Sequence, residues 1–357
     1  MIAIRDLLKE AKEHGASDLH LSVGVPPKMR IDGKLKNMKH EKLSPSDTLE
    51  VLISIMSVEQ RERFEDRGEL DASFSITNIG RYRLSAYKQR GTVALAIRLM
   101  GDEILEAESL RIPKAFLNLR TKKRGLILVT GPAGSGLSTT IAALIDQINS
   151  TEESLVITLE DPIEYMHHHK KSMVNQREIG LDTKNYATAL QTILREDPNV
   201  IYIGTMLDCD TMRIAFEAAE AGCLVISSLH AIGAKRTIMH IVNSFGPQEQ
   251  AQIRLQLANV LLAVASQQLV PVLEGRGRIP AFEIMLSNNR IREILREDRF
   301  EELNDVIASC GSEGMCLMDD ALLNLYHEKM ISAGYTVRFA EDKDKILQEI
   351  GEIVEFS

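Results

Sequence analysis

Gly131-Pro-Ala-Gly-Ser-Gly-Leu-Ser138 is the stretch of this 357-residue sequence whose residue types and spacing most directly imply chemistry. An apolar run, Gly125-Leu-Ile-Leu-Val-Thr130, precedes it and reads as a buried strand. Beyond it, Thr139 and Thr140 lead into a helical pattern of Ile141, Leu144, Ile145 and Ile148. Strand, glycine-rich turn and helix start is the arrangement that cradles a polyphosphate. Glycines let successive backbone N–H groups converge on the anion, and the helix N-terminus adds its positive end. The spacing is that of the phosphate loop G-x-x-x-x-G-K-[ST]. Gly131, Pro132, Ala133, Gly134, Ser135, Gly136, Leu137, Ser138 and Thr139 are therefore the candidate nucleotide-binding positions, with the Ser138 hydroxyl placed for Mg²⁺ if ATP binds. One position departs from the pattern: where it has lysine, the chain has Leu137. Leucine makes no charge-assisted bond to a phosphate.

Further candidates lie where neighbouring strands end, because that is where such folds place their chemistry. Glu160, Asp161 and Glu164 follow the apolar run Leu155–Leu159. Carboxylates there can hold Mg²⁺ through water or orient an attacking water; a solvated turn is the bland alternative. The run Val200–Ile203 ends in Gly204-Thr205-Met206, where a Walker-B-type strand carries a carboxylate. Thr205 cannot serve as a base at neutral pH, and the nearest acid is Asp208. His230, after Ser227-Ser-Leu229, is placed to sense or donate to a terminal phosphate, unless it is only a satisfied strand-end histidine. Consecutive His167, His168 and His169 do not converge in an extended loop, which argues against a metal site. Lys170-Lys171 reads as a solvated basic edge.

The elements that must position these residues divide the chain in two. Residues 1–100 read as a small α+β unit. A helix over 2–14 precedes strands at 17–22 and 28–33, the latter closing on an Asp32-Gly33 hairpin signal. A helix over 46–64 then precedes three antiparallel strands at 70–76, 80–87 and 92–98. Residues 101–114 read as a linker. From residue 115 strands and helices alternate, with helices over 186–195 and 212–221 and a strand at 224–228, which implies a largely parallel sheet. Beyond Gly246-Pro247 the pattern turns mostly helical, at 249–270, 291–297 and 316–330, with a strand pair near 278–284.

Composition bounds the function. Apolar content of 44%, charged content of 26% and a net charge of -9 are those of a globular protein, and the acidic balance argues against nucleic acid. No run approaches a membrane span. The first ten residues lack the apolar core of a signal peptide. The four cysteines form no Cys-x-x-Cys pair, so neither zinc nor a disulfide frame is signalled. A cytoplasmic protein is expected.

Together these residues resemble the PilT/PilU group of type IV pilus retraction ATPases, in the secretion-ATPase superfamily. The pieces that carry the resemblance begin with Ser17-Asp-Leu-His-Leu21, Pro26-Pro27, Asp32-Gly33 and Gly80-Arg-Tyr-Arg83. The phosphate loop, Ile157-Thr-Leu-Glu-Asp-Pro-Ile-Glu164, Asn175-Gln-Arg-Glu178 and Leu194-Arg-Glu-Asp-Pro198 follow. Ala221-Gly-Cys-Leu-Val225 with Leu229-His230, and Arg290-Ile-Arg-Glu-Ile-Leu-Arg-Glu297, complete the set. The resemblance implies a PAS-like α+β N-terminal domain and, over 115–357, a RecA-like P-loop ATPase domain with a helical C-terminal region. It further implies a homohexameric ring, ATP with Mg²⁺, and phosphate contacts from Arg81, Arg83 and Arg98. The setting would be the cytoplasmic face of the inner membrane, against the pilus platform protein.

The departures fall on nucleotide-handling groups. Leu137 replaces the lysine, Thr205 the Walker-B glutamate, Leu207 that motif's arginine and Cys223 the first histidine of the histidine box. Fold-making glycines and apolar strands are intact. The expectation is a pseudo-ATPase subunit that regulates or supports an active motor, in a pure or mixed ring. Two alternatives stand beside it. One is a working motor that uses Glu160, Glu164 or Asp208 as base and another cation, such as Lys235 or Arg236. The other is a ligand-binding adaptor without turnover.

Overall fold

A computed structural model describes residues 3–31, 33–77, 79–101, 104–275 and 277–351. The chain forms two compact units: Met1–Glu103 with Pro162–Met166, and Ile104–Asp161 with His167–Ser357.

In the first unit, strands β1 (Asp18–Leu21), β2 (Lys28–Ile31), β3 (Lys34–Asn37), β4 (Glu69–Ile76), β5 (Gly80–Gln89) and β6 (Thr92–Leu99) form one antiparallel sheet, ordered β3-β2-β1-β6-β5-β4. Helix Ile4–Glu13 buries Ile4, Leu7, Leu8 and Ala11, the one-face spacing of an amphipathic helix. Asp32 of the hairpin signal lies outside the described residues. The single helix expected over 46–64 is two helices, Pro45–Ile55 and Val58–Arg67. Ser57 breaks it: its side chain accepts from the Gln60 backbone while Gln60 reaches back to the Ser57 N–H, and this capping box restarts the helix. The segment 162–166 joins this unit through the Arg81 Nε, which donates to the Ile163 carbonyl at 2.9 Å.

The second unit is built on a seven-stranded sheet of β7 (Gly125–Thr130), β8 (Leu155–Glu160), β9 (Met173–Glu178), β10 (Val200–Ile203), β11 (Leu224–Leu229), β12 (Leu261–Pro271) and β13 (Arg278–Leu286). Their order is β13-β12-β7-β11-β10-β8-β9, parallel throughout except for β13. The expected helix over 249–270 is corrected: the helix stops at Val260, and Leu261–Pro271 is a strand beside β7. Leu261 and residues 263–268 are all buried. A run buried on both faces shows no alternation, so periodicity cannot tell it from a buried helix. Strand β9 was not anticipated; it is a mostly polar edge strand that buries Val174 and Glu178. Apolar clusters cover both faces of the sheet. The helices after residue 317 pack Met318, Leu322 and Val337 against Val270, Ile279 and Ala281. No helix among the described residues is long and apolar enough to cross a membrane.

Candidate nucleotide site

β7 ends at Thr130 and the glycine-rich turn begins. At Gly131, φ is +155° and an added Cβ would sit 2.3 Å from the Gln267 carbonyl oxygen and 2.7 Å from Ser135 Oγ. No side chain fits there. Gly136, at φ +87°, precedes helix Leu137–Thr151 without any side-chain cap, so the first-turn amides keep their donors open toward an anion. The Ser135 hydroxyl is buried with no hydrogen-bond partner among the described residues. Ser138 and Thr139 are half-buried in the first helical turn. A Gly131→Ala chain should lose about 1–3 kcal/mol of stability and its affinity for nucleotide together, measured by urea unfolding and equilibrium binding.

The loop is braced from the neighbouring strand. Gln267 Nε2 donates to the Ser135 carbonyl at 2.8 Å, and Gln267 Oε1 accepts from Thr140 Oγ1 at 2.6 Å. On β13, Arg278 Nη1 donates to the Gly134 carbonyl at 3.1 Å. The guanidinium is exposed, and no acid pairs with it among the described residues. Leu137 is only 8% exposed and packs in the apolar cluster that includes Ile127, Val129 and Ile141. The residue at the lysine position therefore serves the core.

The proposed substitute cations are engaged elsewhere. Lys235 bonds Glu301, and Arg236 lies 3.9 Å from Glu341.

The three carboxylates expected at one strand end are divided between the two units. Glu160, 8% exposed at the end of β8, accepts from Thr158 Oγ1 at 2.7 Å and Gln176 Nε2 at 3.0 Å. Asp161 is exposed, and Glu164 is an exposed residue of the first unit. Asp208 is a helix cap: its Oδ1 accepts from the Thr211 N–H at 2.7 Å. Thr205 Oγ1 lies 3.2 Å from Ser228 Oγ, and Ser228 in turn donates to the Gly204 carbonyl. Leu207 is exposed, and so is His230. Nearby, burial and the charges of Asp161 and Glu160 push the Tyr186 phenol well above its ordinary range, although a backbone hydrogen bond from Thr205 opposes them. Tyr186 stays neutral.

Burial drives the His167 imidazole down to about 4, and His169 Nδ1 accepts from the Val174 N–H. No group of three or more His, Cys, Asp or Glu among the described residues is arranged to hold a metal. Of the candidate arginines in the first unit, Arg81 also bonds Ser73 and Ser75, and Arg98 bonds Asp18 at 3.1 Å. Arg83 is exposed, with no partner among the described residues. Sequence reasoning missed Gln267, Arg278, Gln176 and Tyr186 as site residues. The one usable signal was Ser266-Gln-Gln268, three polar residues interrupting an apolar run.

The family of the type II/IV secretion system protein matches residues 1–313. The type IV pilus retraction ATPase PilT of Pseudomonas aeruginosa is 40% identical over 92% of this chain and 95% of its own length. The type IV pilus ATPase PilU of the same organism is 36% identical over 91% of this chain and 86% of its own. A crystal structure of the pilus retraction motor PilT with bound ADP is similar at a TM-score of 0.91 and 42% identity, covering 97% of this chain and 99% of that one. The phosphate-loop frame, the two units and these likenesses agree, and the chain belongs to the type II/IV secretion system protein family, among its PilT/PilU-like type IV pilus ATPases.

Proposed function

We propose that this chain is a retraction-motor subunit that holds nucleotide weakly, turns it over very slowly or not at all, and supports or regulates an active PilT-type ATPase. The observation that carries this reading is the replacement of both charged catalytic positions by residues used structurally. Leu137 is part of the apolar core, and Thr205 is hydrogen-bonded to Ser228. The phosphate cradle itself fits ATP with Mg²⁺. The open first-turn amides after Gly136 and the Ser138 hydroxyl are its binding groups, and Arg278 is a cation bonded to the loop. Bound ATP supplies a phosphoryl group for transfer to water. Glu160 is the only buried acid at that end of the sheet among the candidates, and two side-chain donors already occupy it. The partners proposed are further copies in a hexameric ring, pure or mixed with an active motor, and the platform protein at the inner membrane.

Arg278 favours a second reading, in which it stands in for the lysine of a working motor. Binding of Mg·ATP and phosphate release, measured on the natural chain and on Arg278→Ala, decide between the two. The expected result is measurable binding that Arg278→Ala weakens at least about tenfold, the size of one charge-assisted bond, with phosphate release at the detection limit in both. Turnover by the natural chain that Arg278→Ala abolishes would establish the working motor instead.

A further inference from the structure

At the opposite end of the sheet from the phosphate loop, a cavity of about 480 Å³ is lined by Arg124, Arg292 and Arg296, with Glu220 the one acid. Arg124 precedes β7, whose length sets the two places roughly 15–20 Å apart. Arg292 and Arg296 lie one turn apart on helix Asn289–Glu297. Helices Cys209–Ala221 and Gln250–Val260 end at this cavity, where arginines can bond the last carbonyls. These do not. Arg296 donates to the Asn259 side chain at 3.1 Å, whereas Arg124 and Arg292 have no hydrogen-bond or ion-pair partner among the described residues. The Arg292 Nε is shielded from solvent without an acceptor, and Glu220 is already approached by Gln256 Nε2 at 3.4 Å.

We infer that this recess is a second anion site, which takes the phosphoryl group of a small soluble phosphorylated molecule. Three guanidiniums against one carboxylate leave a surplus of two positive charges. A phosphoryl dianion matches that surplus and offers three oxygens to three forks; a carboxylate offers one charge and two oxygens. The recess has the size of a small-ligand pocket. The terminal N–H groups of Arg124 and Arg292, unpaired among the described residues, are the donors that the bound oxygens meet.

Inorganic pyrophosphate is the probe, and hydrogen exchange of the full chain separates this place from the phosphate loop. Pyrophosphate should slow exchange over 289–297 and 257–262, independently of any effect over 131–140. Arg292→Gln and the exposed Arg124→Gln should each raise the half-saturating concentration for that protection at least about tenfold, while exchange over 131–140 responds as in the natural chain. Protection confined to 131–140 overturns the site, as does protection over 289–297 that both variants retain. Co-sedimentation with phosphatidic acid vesicles that both variants lose, with no protection by pyrophosphate, overturns a soluble ligand.

Discussion

A chain carrying Leu137→Lys and Thr205→Glu together is expected to release phosphate from ATP about 10²- to 10⁴-fold faster than the natural chain, the range that a positioned base contributes. The lysine should add about 1.5–3 kcal/mol of charge-assisted binding to the phosphates, and part of that interaction grows in the transition state. The two gains are not multiplied, because residues that act as one unit are not additive. Leu137 packs among Ile127, Val129 and Ile141, so the replacement removes apolar contacts. A lysine limits that loss, since its four-carbon stem can cover the same surface while the ammonium reaches outward. At Thr205 the change costs one hydrogen bond to Ser228, whose hydroxyl keeps its bond to the Gly204 carbonyl. Phosphate release under saturating Mg·ATP is the measurement, with each single variant beside the double. Near-equal rates in the natural chain and the double variant would sink the pseudo-ATPase reading and require a base and a cation already in place.

Much of this frame is legible in the sequence alone, and the reason differs from place to place. The turn from Gly131 to Ser138 is read from local chemistry alone: glycines, a hydroxyl and an apolar strand in fixed order. Strands β5, β6, β10 and β11 carried apolar runs bounded by turn residues. The absent charges at Leu137 and Thr205 were equally plain. What stayed hidden depends on registers between distant segments. Arg278 reaches Gly134 only because β13 pairs with β12 and β12 lies beside β7. The run Leu261–Val270 passed for a helix because its burial on both faces erased the alternation that marks a strand. Glu164 looked like a neighbour of Glu160 by sequence distance, yet Pro162–Met166 packs in the other unit. Sequence proximity is a weak guide where the chain crosses between compact bodies.

The stability of the natural chain measured against a Glu283→Gln chain, a comparison in which the opposing contribution of the buried His167 cancels, is expected to fall as pH rises from about 4.5 to 7. Glu283 sits on β13, 2% exposed, with Oε1 accepting from the Ala234 N–H at 2.5 Å and Oε2 from the Met318 N–H at 3.3 Å. It thereby ties the starts of helices Ala234–Ser244 and Met318–His327 to the sheet. Burial pushes its carboxyl up to about 7, and the charges of Glu341 and Asp319 add to that, against the two backbone donors. Asp319 is itself held by the Glu341 and Asp342 N–H groups, at 2.7 Å and 3.0 Å, and Arg236 stands 3.9 Å from Glu341. The unfolded carboxyl loses its proton near 4.5, whereas the folded one keeps it to about 7. Between those values folded Glu283 holds a proton that the unfolded residue has lost, so the contribution of this group to stability falls as pH rises. The full span amounts to roughly 3 kcal/mol. Glutamine keeps an acceptor for the Ala234 N–H but sets an amide donor toward the Met318 N–H. The variant should therefore be the less stable chain near pH 4.5 and the more stable one near pH 8. Urea midpoints of the two chains across that range should cross; parallel profiles would mean that Glu283 does not titrate there.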